Sequence, residues 1–352
     1  MNCFKKRQMF RSQELALLVV GLFFFSNAGQ VFAGDKAVIK FATLAPEGTV
    51  WMKEIRALAD EVKVATGGEV KFKFYPGGVS GDEKDVIRKM RIGQLHGAGF
   101  TGVGLGEILP EVRVFDIPFF FRTDEQVDKV YNQLGAYFVR QYDQKGYILL
   151  GWVPVGWVHI FSTRKIESIS DLVKLKPWVW EGDLVAQETY KAMGVNPIPL
   201  AITDVLMSLQ TGIIDSIYGS SQGVLAFQWF TRVKYMTALR MSHATGGVLI
   251  SKRKFEKLST THQQALLALS KKRFKNLARK IHEGNQQSTE IMERRGIQVI
   301  PMSSDLEEEK FCVTGKQAVK NLAGRLFSKK ILDRVLESTK QTIKNSQSHY
   351  LR

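Results

Sequence analysis

Two tryptophans and two acids stand close together in the run Trp178-Val179-Trp180-Glu181-Gly182-Asp183, which has the clearest binding chemistry in the chain. Trp178 and Trp180 occupy alternate positions and so share one face of a strand. Buried indoles are usually core residues, but the two acids that follow, at the start of a helix, put this strand end in contact with water. We therefore predict that at least one indole lines a cleft, with Glu181 and Asp183 beside it.

No arrangement of residues for catalysis or metal binding stands out. The six histidines lack ligand spacing, no G-x-S-x-G motif is present, and no carboxylate pair can be placed in acid–base geometry. The run 97–102 matches the G-x-G-x-x-G of dinucleotide sites, but its glycines lie partly within a strand, which favours a glycine-rich loop at the edge of a lobe. The sequence thus predicts a protein that is not an enzyme and has no cofactor, no catalytic residues and no metal ligands.

One unit occurs twice: a helix ends in glycine, a short apolar strand follows, and small or hydroxyl residues stand at the strand's carboxyl end. The copies cover residues 90–102 and 209–220. In open α/β sheets, ligands bind beyond the carboxyl ends of the strands, so two such ends facing each other would form a cleft between two lobes. The predicted ligand-binding residues are Trp178, Trp180, Glu181, Asp183, Tyr218 and Ser220 from one lobe and Thr43, Glu83, Thr101 and Gly102 from the other.

The elements that carry these residues alternate between strand and helix, which is typical of α/β proteins with a parallel sheet. A second α/β set covers roughly 155–242, where we predict a helix with Thr203 as N-cap and a strand over 213–218. A helix from about 261 to 295 would be roughly 50 Å long, which suggests that it braces two lobes. Further on, Ser304 and Glu307 have the spacing of a capping box.

The chain has 352 residues, 44% of them apolar, and a net charge of +16, which excludes a disordered, collagen-like or polytopic membrane protein.

A basic segment, an apolar run from Leu15 to Phe25 and a small-residue site ending at Ala33 predict a cleaved signal peptide over 1–33. A retained anchor helix is the alternative. After cleavage we expect a periplasmic protein without a membrane span, whose one cysteine, Cys312, forms no disulfide. Basic residues are mixed with acids, so no nucleic-acid partner is predicted.

Several runs, in order, resemble the solute-binding proteins of tripartite ATP-independent periplasmic (TRAP) transporters. The resemblance covers essentially the whole chain after the signal peptide. The runs are Gly81-Asp82-Glu83, residues 86–95, Asp116-Ile117-Pro118-Phe119-Phe120-Phe121, Ile169-Ser170-Asp171-Leu172 with Leu175-Lys176, and residues 209–215.

This resemblance implies a two-lobed periplasmic binding protein fold, with a hinge and a long helix spanning both lobes. The predicted lobes are 34–154 plus about 243–285, and 155–242 plus about 286–352. It also implies a receptor that closes around a small-molecule ligand and delivers it to TRAP permease subunits driven by an ion gradient.

The sequence departs from the family where an arginine usually binds the ligand's carboxylate, because Trp178 occupies that position. A second basic contact of the family falls near Val158-His159. Since an indole cannot neutralise an acid, we expect a neutral, apolar or aromatic ligand. The alternatives are a cation over the indoles and a carboxylate held by another basic residue, for instance Arg164 or Arg91.

Three other functions remain as alternatives at this point. A ligand-presenting subunit of a membrane sensor would share the fold and differ in its membrane partner. A periplasmic enzyme lacks a catalytic arrangement, and a structural envelope protein would not explain the cleft-type residues at two strand ends.

Overall fold

The computed structural model describes residues 37–349, and side chains as far as residue 339, so the predicted signal peptide lies outside the described residues. The strands are β1 (Ala37–Ala42), β2 (Val70–Tyr75), β3 (Gly97–Thr101), β4 (Tyr147–Trp152), β5 (Gly156–Ser162), β6 (Trp178–Trp180), β7 (Ile198–Leu200), β8 (Ser216–Ser220), β9 (Tyr235–Thr237), β10 (Ser242–Ala244), β11 (Gly246–Ser251) and β12 (Gln298–Ile300). The helices are α1 (Val50–Ala65), α2 (Glu83–Arg91), α3 (Gly102–Ile108), α4 (Asp124–Gln144), α5 (Ile169–Val173), α6 (Leu184–Ala192), α7 (Val205–Thr211), α8 (Ser221–Ala226), α9 (Lys252–Phe255), α10 (Thr260–Arg294), α11 (Asp305–Leu322) and α12 (Lys329–His349).

The first sheet has the strand order β2-β1-β3-β11-β4. β1 is parallel to β2 and β3, whereas β11 is antiparallel to both β3 and β4. The expected parallel pairing is therefore confirmed for the first strands, and the late strand β11 makes the sheet mixed. Apolar residues of β1 pack against the buried faces of α1 and α10, which forms one core of the protein.

The second sheet is organised around β5, which pairs antiparallel with β8, β9 and β10, while β9 is parallel to β12. β6 and β7 form a separate parallel pair, and Pro177 just before β6 bridges to Ser216 of β8. This arrangement brings the carboxyl ends of β6 and β8 next to each other. Because both strands carry predicted site residues, the sheet topology explains why those residues come together.

The predicted long helix is confirmed as α10, which has 35 residues and is therefore about 50 Å long. Ser259 caps its N-terminus through a side-chain bond from the His262 amide, and Gly296, with φ +95°, follows its end. α10 packs on α1 and β4 of the first sheet and on α8 and β5 of the second. It thus links the two sheets of the two-lobed fold.

Three local predictions are corrected. Thr203 is not a helix N-cap, because a short 3-10 segment (Ile202–Asp204) precedes α7 and no side chain caps that helix. The strand predicted for 213–218 is β8 (Ser216–Ser220), since Gly212 adopts a left-handed conformation and a turn precedes the strand. The capping box is half formed, because Ser304 accepts from the Glu307 amide but the Glu307 carboxylate pairs with Lys310.

The terminal helices pack on different parts of the molecule. α11 contacts α6, whereas α12 contacts α4 and the 3-10 segment Pro110–Asp116, on the side of the first sheet. The sequence analysis assigns both helices to the second lobe. The lobe boundaries therefore remain a prediction, with α12 packed beside elements of the first lobe.

Candidate ligand-binding site

A cavity of about 130 Å³ lies where the carboxyl ends of β3, β6 and β8 meet. Its wall is largely apolar and includes side chains from both the first and the second sheet. The predicted site residues that line it are Thr101, Gly102, Trp178, Trp180, Asp183, Tyr218 and Ser220. We call this space the aromatic cavity.

A second cavity of about 390 Å³ adjoins the aromatic cavity, with which it shares lining residues such as Thr101, Ile202 and Ser220. Thr43 and Glu83, the remaining predicted residues of the first lobe, line this second space. Glu181 is exposed and lines neither cavity. The structure thus gathers the predicted residues into two neighbouring cavities, with Glu181 outside them.

Trp178 is almost fully buried, at 1% exposure. Its indole Nε1–H donates to the Leu200 carbonyl over 3.0 Å, and its ring stacks on Tyr218 at a centroid distance of 5.0 Å. Trp229 meets the same ring edge-on at 5.5 Å. Because the indole N–H already has a partner, Trp178 offers the cavity an apolar aromatic surface.

Trp180 connects the two parts of the site. Its Nε1–H donates to Asp82 Oδ2 over 2.9 Å, and the Ile202 amide donates to the same oxygen over 3.2 Å. Asp82 is the N-cap of α2, which packs beside β3. One carboxylate beside the first sheet therefore holds two groups beside β6 and β7.

Asp183 is buried, so the expectation that it lies in water beside Glu181 is wrong. Its Oδ1 accepts from Arg113 Nη2 (2.8 Å) and from the Ala186 amide (3.1 Å), which caps α6. Its Oδ2 accepts from the Tyr218 hydroxyl over 2.7 Å. The partner that draws Asp183 inward stands 70 residues earlier in the chain, which is why the local sequence pattern pointed to the surface.

Sequence reasoning missed Arg113, which lines the aromatic cavity from the 3-10 segment Pro110–Asp116. Its Nε donates to Asp116 Oδ2 over 2.6 Å, so its guanidinium lies between two carboxylates. Burial disfavours the charge, but attraction by Asp183 and Asp116 outweighs it and raises the pKa of Arg113. One signal in the sequence pointed to a buried ion pair: Arg113 stands between two valines and three residues before Asp116.

Glu83 fixes the turn from β3 into α3. Its carboxylate accepts from the Thr101 amide (2.7 Å), the Thr101 hydroxyl (2.9 Å) and the Gly104 amide (2.6 Å). Gly104 is required here because a Cβ would lie 2.6 Å from Glu83 Oε2. Burial raises the pKa of Glu83 to about 7, against the opposing effect of these donors.

The other basic residues considered for a carboxylate ligand do not reach the aromatic cavity. Arg91 and Arg164 are exposed and line neither of the two cavities. Val158 lines the aromatic cavity, but the next residue, His159, lines a separate cavity of about 910 Å³ on the other side of β5. Burial lowers the pKa of His159 to about 4, so its ring is neutral at neutral pH.

Residues 37–339, whose side chains are described, contain no group of three or more histidine, cysteine or acidic side chains placed to hold a metal ion. Over the same part of the chain, none of the helices combines the length and the apolar character needed to cross a membrane.

The profile of the family described as bacterial extracellular solute-binding protein, family 7 (DctP) matches residues 41–325. The chain belongs to this family. It is therefore a TRAP-type extracytoplasmic solute receptor, and the resemblance seen in the sequence is confirmed at that level. Members of the family are receptors rather than enzymes, and they deliver small ligands to a membrane permease.

Related proteins agree with this assignment. The 2,3-diketo-L-gulonate-binding periplasmic protein YiaO of Escherichia coli is 25% identical over 304 residues, which cover 86% of this chain and 90% of YiaO. A TRAP solute-binding protein of Citrobacter koseri with bound D-glucuronate matches with a TM-score of 0.77 and 25% identity, over 85% and 98% of the two chains. The galactonate complex of DctPAm from Advenella mimigardefordensis matches with a TM-score of 0.80 and 22% identity, over 87% and 99%, which supports the fold alone.

Proposed function

We propose that this TRAP-type receptor captures a small, uncharged compound with an apolar or aromatic body in the aromatic cavity. The observation that carries the proposal is the pairing of Arg113. Of the described residues that line this cavity, Arg113 is the only basic one, and its guanidinium is held by Asp116 and Asp183. No cationic group is left over to neutralise an acidic ligand.

The composition of the wall supports the same ligand class. Trp178, Trp180 and Tyr218 present aromatic surface, while the Trp178 N–H is already used by a backbone carbonyl. A carboxylate moved from water into such surroundings without a partner loses several kcal/mol. An apolar compound gains from the transfer at about 25 cal/mol per Å² of buried surface.

The size of the aromatic cavity also favours a small ligand. Its volume of about 130 Å³ is close to that of engineered apolar cavities of about 150 Å³ that accept benzene. The related proteins named above bind D-glucuronate, galactonate and 2,3-diketo-L-gulonate, all of which are acids. On this proposal, the present receptor differs from them in ligand class and shares their mode of delivery.

Native mass spectrometry of the purified receptor tests the proposal, because a receptor often retains its ligand. We expect a retained neutral compound of low mass. A retained organic acid would refute the ligand class and leave the receptor assignment in place.

Two variants test the part played by Trp178. Trp178→Arg introduces a second cation and should lower the affinity for the retained neutral ligand at least about tenfold, or about 1.4 kcal/mol. Trp178→Phe keeps an aromatic wall and loses the bond to Leu200, so its affinity should stay within a few-fold of wild type. Trp157→Phe, which changes the separate cavity beside His159, is the matched control. Unchanged affinity in a folded Trp178→Arg variant would make Trp178 a purely structural residue.

A further inference from the structure

Arg113 makes two ion pairs, and the one with Asp183 joins different elements of the site. Arg113 and Asp116 belong to the 3-10 segment beside the first sheet, whereas Asp183 stands at the end of β6 and caps α6. All three side chains are more than nine-tenths buried and all three line the aromatic cavity. The guanidinium therefore pairs with a carboxylate that another element brings to the cavity.

Each carboxylate is fixed by other bonds as well. Asp116 Oδ1 accepts from the Thr245 amide over 2.7 Å, and its Oδ2 takes Arg113 Nε. Asp183 is held by Tyr218 and by the Ala186 amide, as described above. Both donors belong to the protein itself, so the carboxylate at Arg113 Nη2 is part of the framework of the site.

A guanidinium offers several donors in one plane and binds carboxylates through them, which makes it the usual partner of an acidic ligand. In this cavity the position in front of Nη2 is already filled by Asp183. We infer that Asp183 is a specificity-determining residue: its side chain occupies the carboxylate-binding position of Arg113 and withholds that position from ligands. The inference rests on the proposed function, in that the aromatic cavity is taken as the ligand site.

The position can be emptied by one substitution. Asp183→Ala removes a single carboxylate group. Arg113 Nη2 then lacks its anion, and the gap beside it has the size of a carboxylate. Formate consists of the same carboxylate and should enter this space. Asp183→Asn is the matched control, because its amide fills the same volume without charge and can still cap α6.

The experiment compares thermal unfolding of wild type, Asp183→Ala and Asp183→Asn in sodium formate and in sodium chloride at equal ionic strength. For Asp183→Ala we expect a saturable rise of several degrees in the unfolding temperature with formate concentration. Wild type and Asp183→Asn should unfold at the same temperature in both salts. A folded Asp183→Ala protein with identical unfolding temperatures in the two salts would overturn the inference.

If Asp183→Ala does not fold under standard conditions, the yield of refolding from urea replaces the unfolding temperature. A several-fold higher yield in formate than in chloride would support the inference, and equal yields would overturn it. The mass spectrum of the wild-type receptor decides the proposed function separately. If formate stabilises Asp183→Ala and wild type retains an acid, Asp183 still occupies a carboxylate-binding position at Arg113. Only the proposal that the ligand is uncharged would then be refuted.

Discussion

Glu83 offers a direct test of how the site is built, because burial and hydrogen bonding act on its charge in opposite directions. The side chain is 2% exposed and accepts three hydrogen bonds from Thr101 and Gly104. Burial is the larger effect and raises its pKa from 4.5 to about 7. Replacement by glutamine removes the titration and keeps the shape of the side chain.

The sign of the effect follows from proton binding. Between pH 4.5 and 7 the folded protein holds the Glu83 proton more tightly than the unfolded chain does, so the free energy of unfolding falls as pH rises. A pKa raised from 4.5 to about 7 corresponds to a loss of about 3 kcal/mol across this window. Below pH 4.5 and above pH 7 the contribution of Glu83 should be constant.

Urea unfolding of wild type and Glu83→Gln at pH 5, 6, 7 and 8 measures this slope. The gap between the two free energies of unfolding should change by about 2–3 kcal/mol from pH 5 to pH 8, with wild type losing stability relative to the variant. Glutamine alters the bonds to Thr101, so the two proteins can differ in free energy of unfolding by a constant amount at every pH. Only the change of this difference with pH tests the titration of Glu83. Glu181→Gln, which changes an exposed carboxylate, should follow wild type. Parallel curves for wild type and Glu83→Gln would mean that the three donors keep Glu83 ionised throughout and that our reasoning about burial is wrong.

Two further substitutions test contacts on either side of the cavities. Trp180→Phe removes the bond to Asp82 and should lower the free energy of unfolding by about 1 kcal/mol, measured in urea; an unchanged value would show that this bond adds nothing to stability. Gly99→Ala places a methyl group against the Trp51 ring and should cost about 1–3 kcal/mol, with much of the loss recovered when Trp51→Leu is added. A Gly99→Ala protein that unfolds at the wild-type temperature would show that this indole moves aside freely.

The sequence pattern predicted the parts of the fold that depend on local spacing. The long helix α10 (Thr260–Arg294) begins and ends within one residue of the predicted 261–295. The alternation of Trp178 and Trp180 correctly placed both residues on a strand whose side chains line a cavity. In each case the structure depends on residues that are close in the sequence, and the spacing of their types is visible as a pattern.

The parts that depend on distant partners were not predictable in the same way. The sequence predicts Asp183 in water because two acids follow the strand at the start of a helix, yet Arg113 pairs with Asp183 inside the protein. The antiparallel pairing of β11 with β3 joins residues about 150 positions apart, and no local pattern encodes such a partner. Whether the predicted residues bind the ligand, and whether Trp178 replaces a ligand-binding arginine, remain predictions.

The strand β11 lies late in the sequence, at Gly246–Ser251, and this affects how the first sheet can form. β3 needs β11 on one side, and β11 in turn needs β4, so the first sheet cannot be completed until residue 251 has been synthesised. A fragment ending after β4 would leave the polar edge of β3 open to pairing with other chains. Contacts between such distant segments also make folding slow. The second sheet begins at β5, before β11 in the sequence, so a single cut cannot separate the two sheets into independently folding pieces. A truncated product is therefore expected to aggregate.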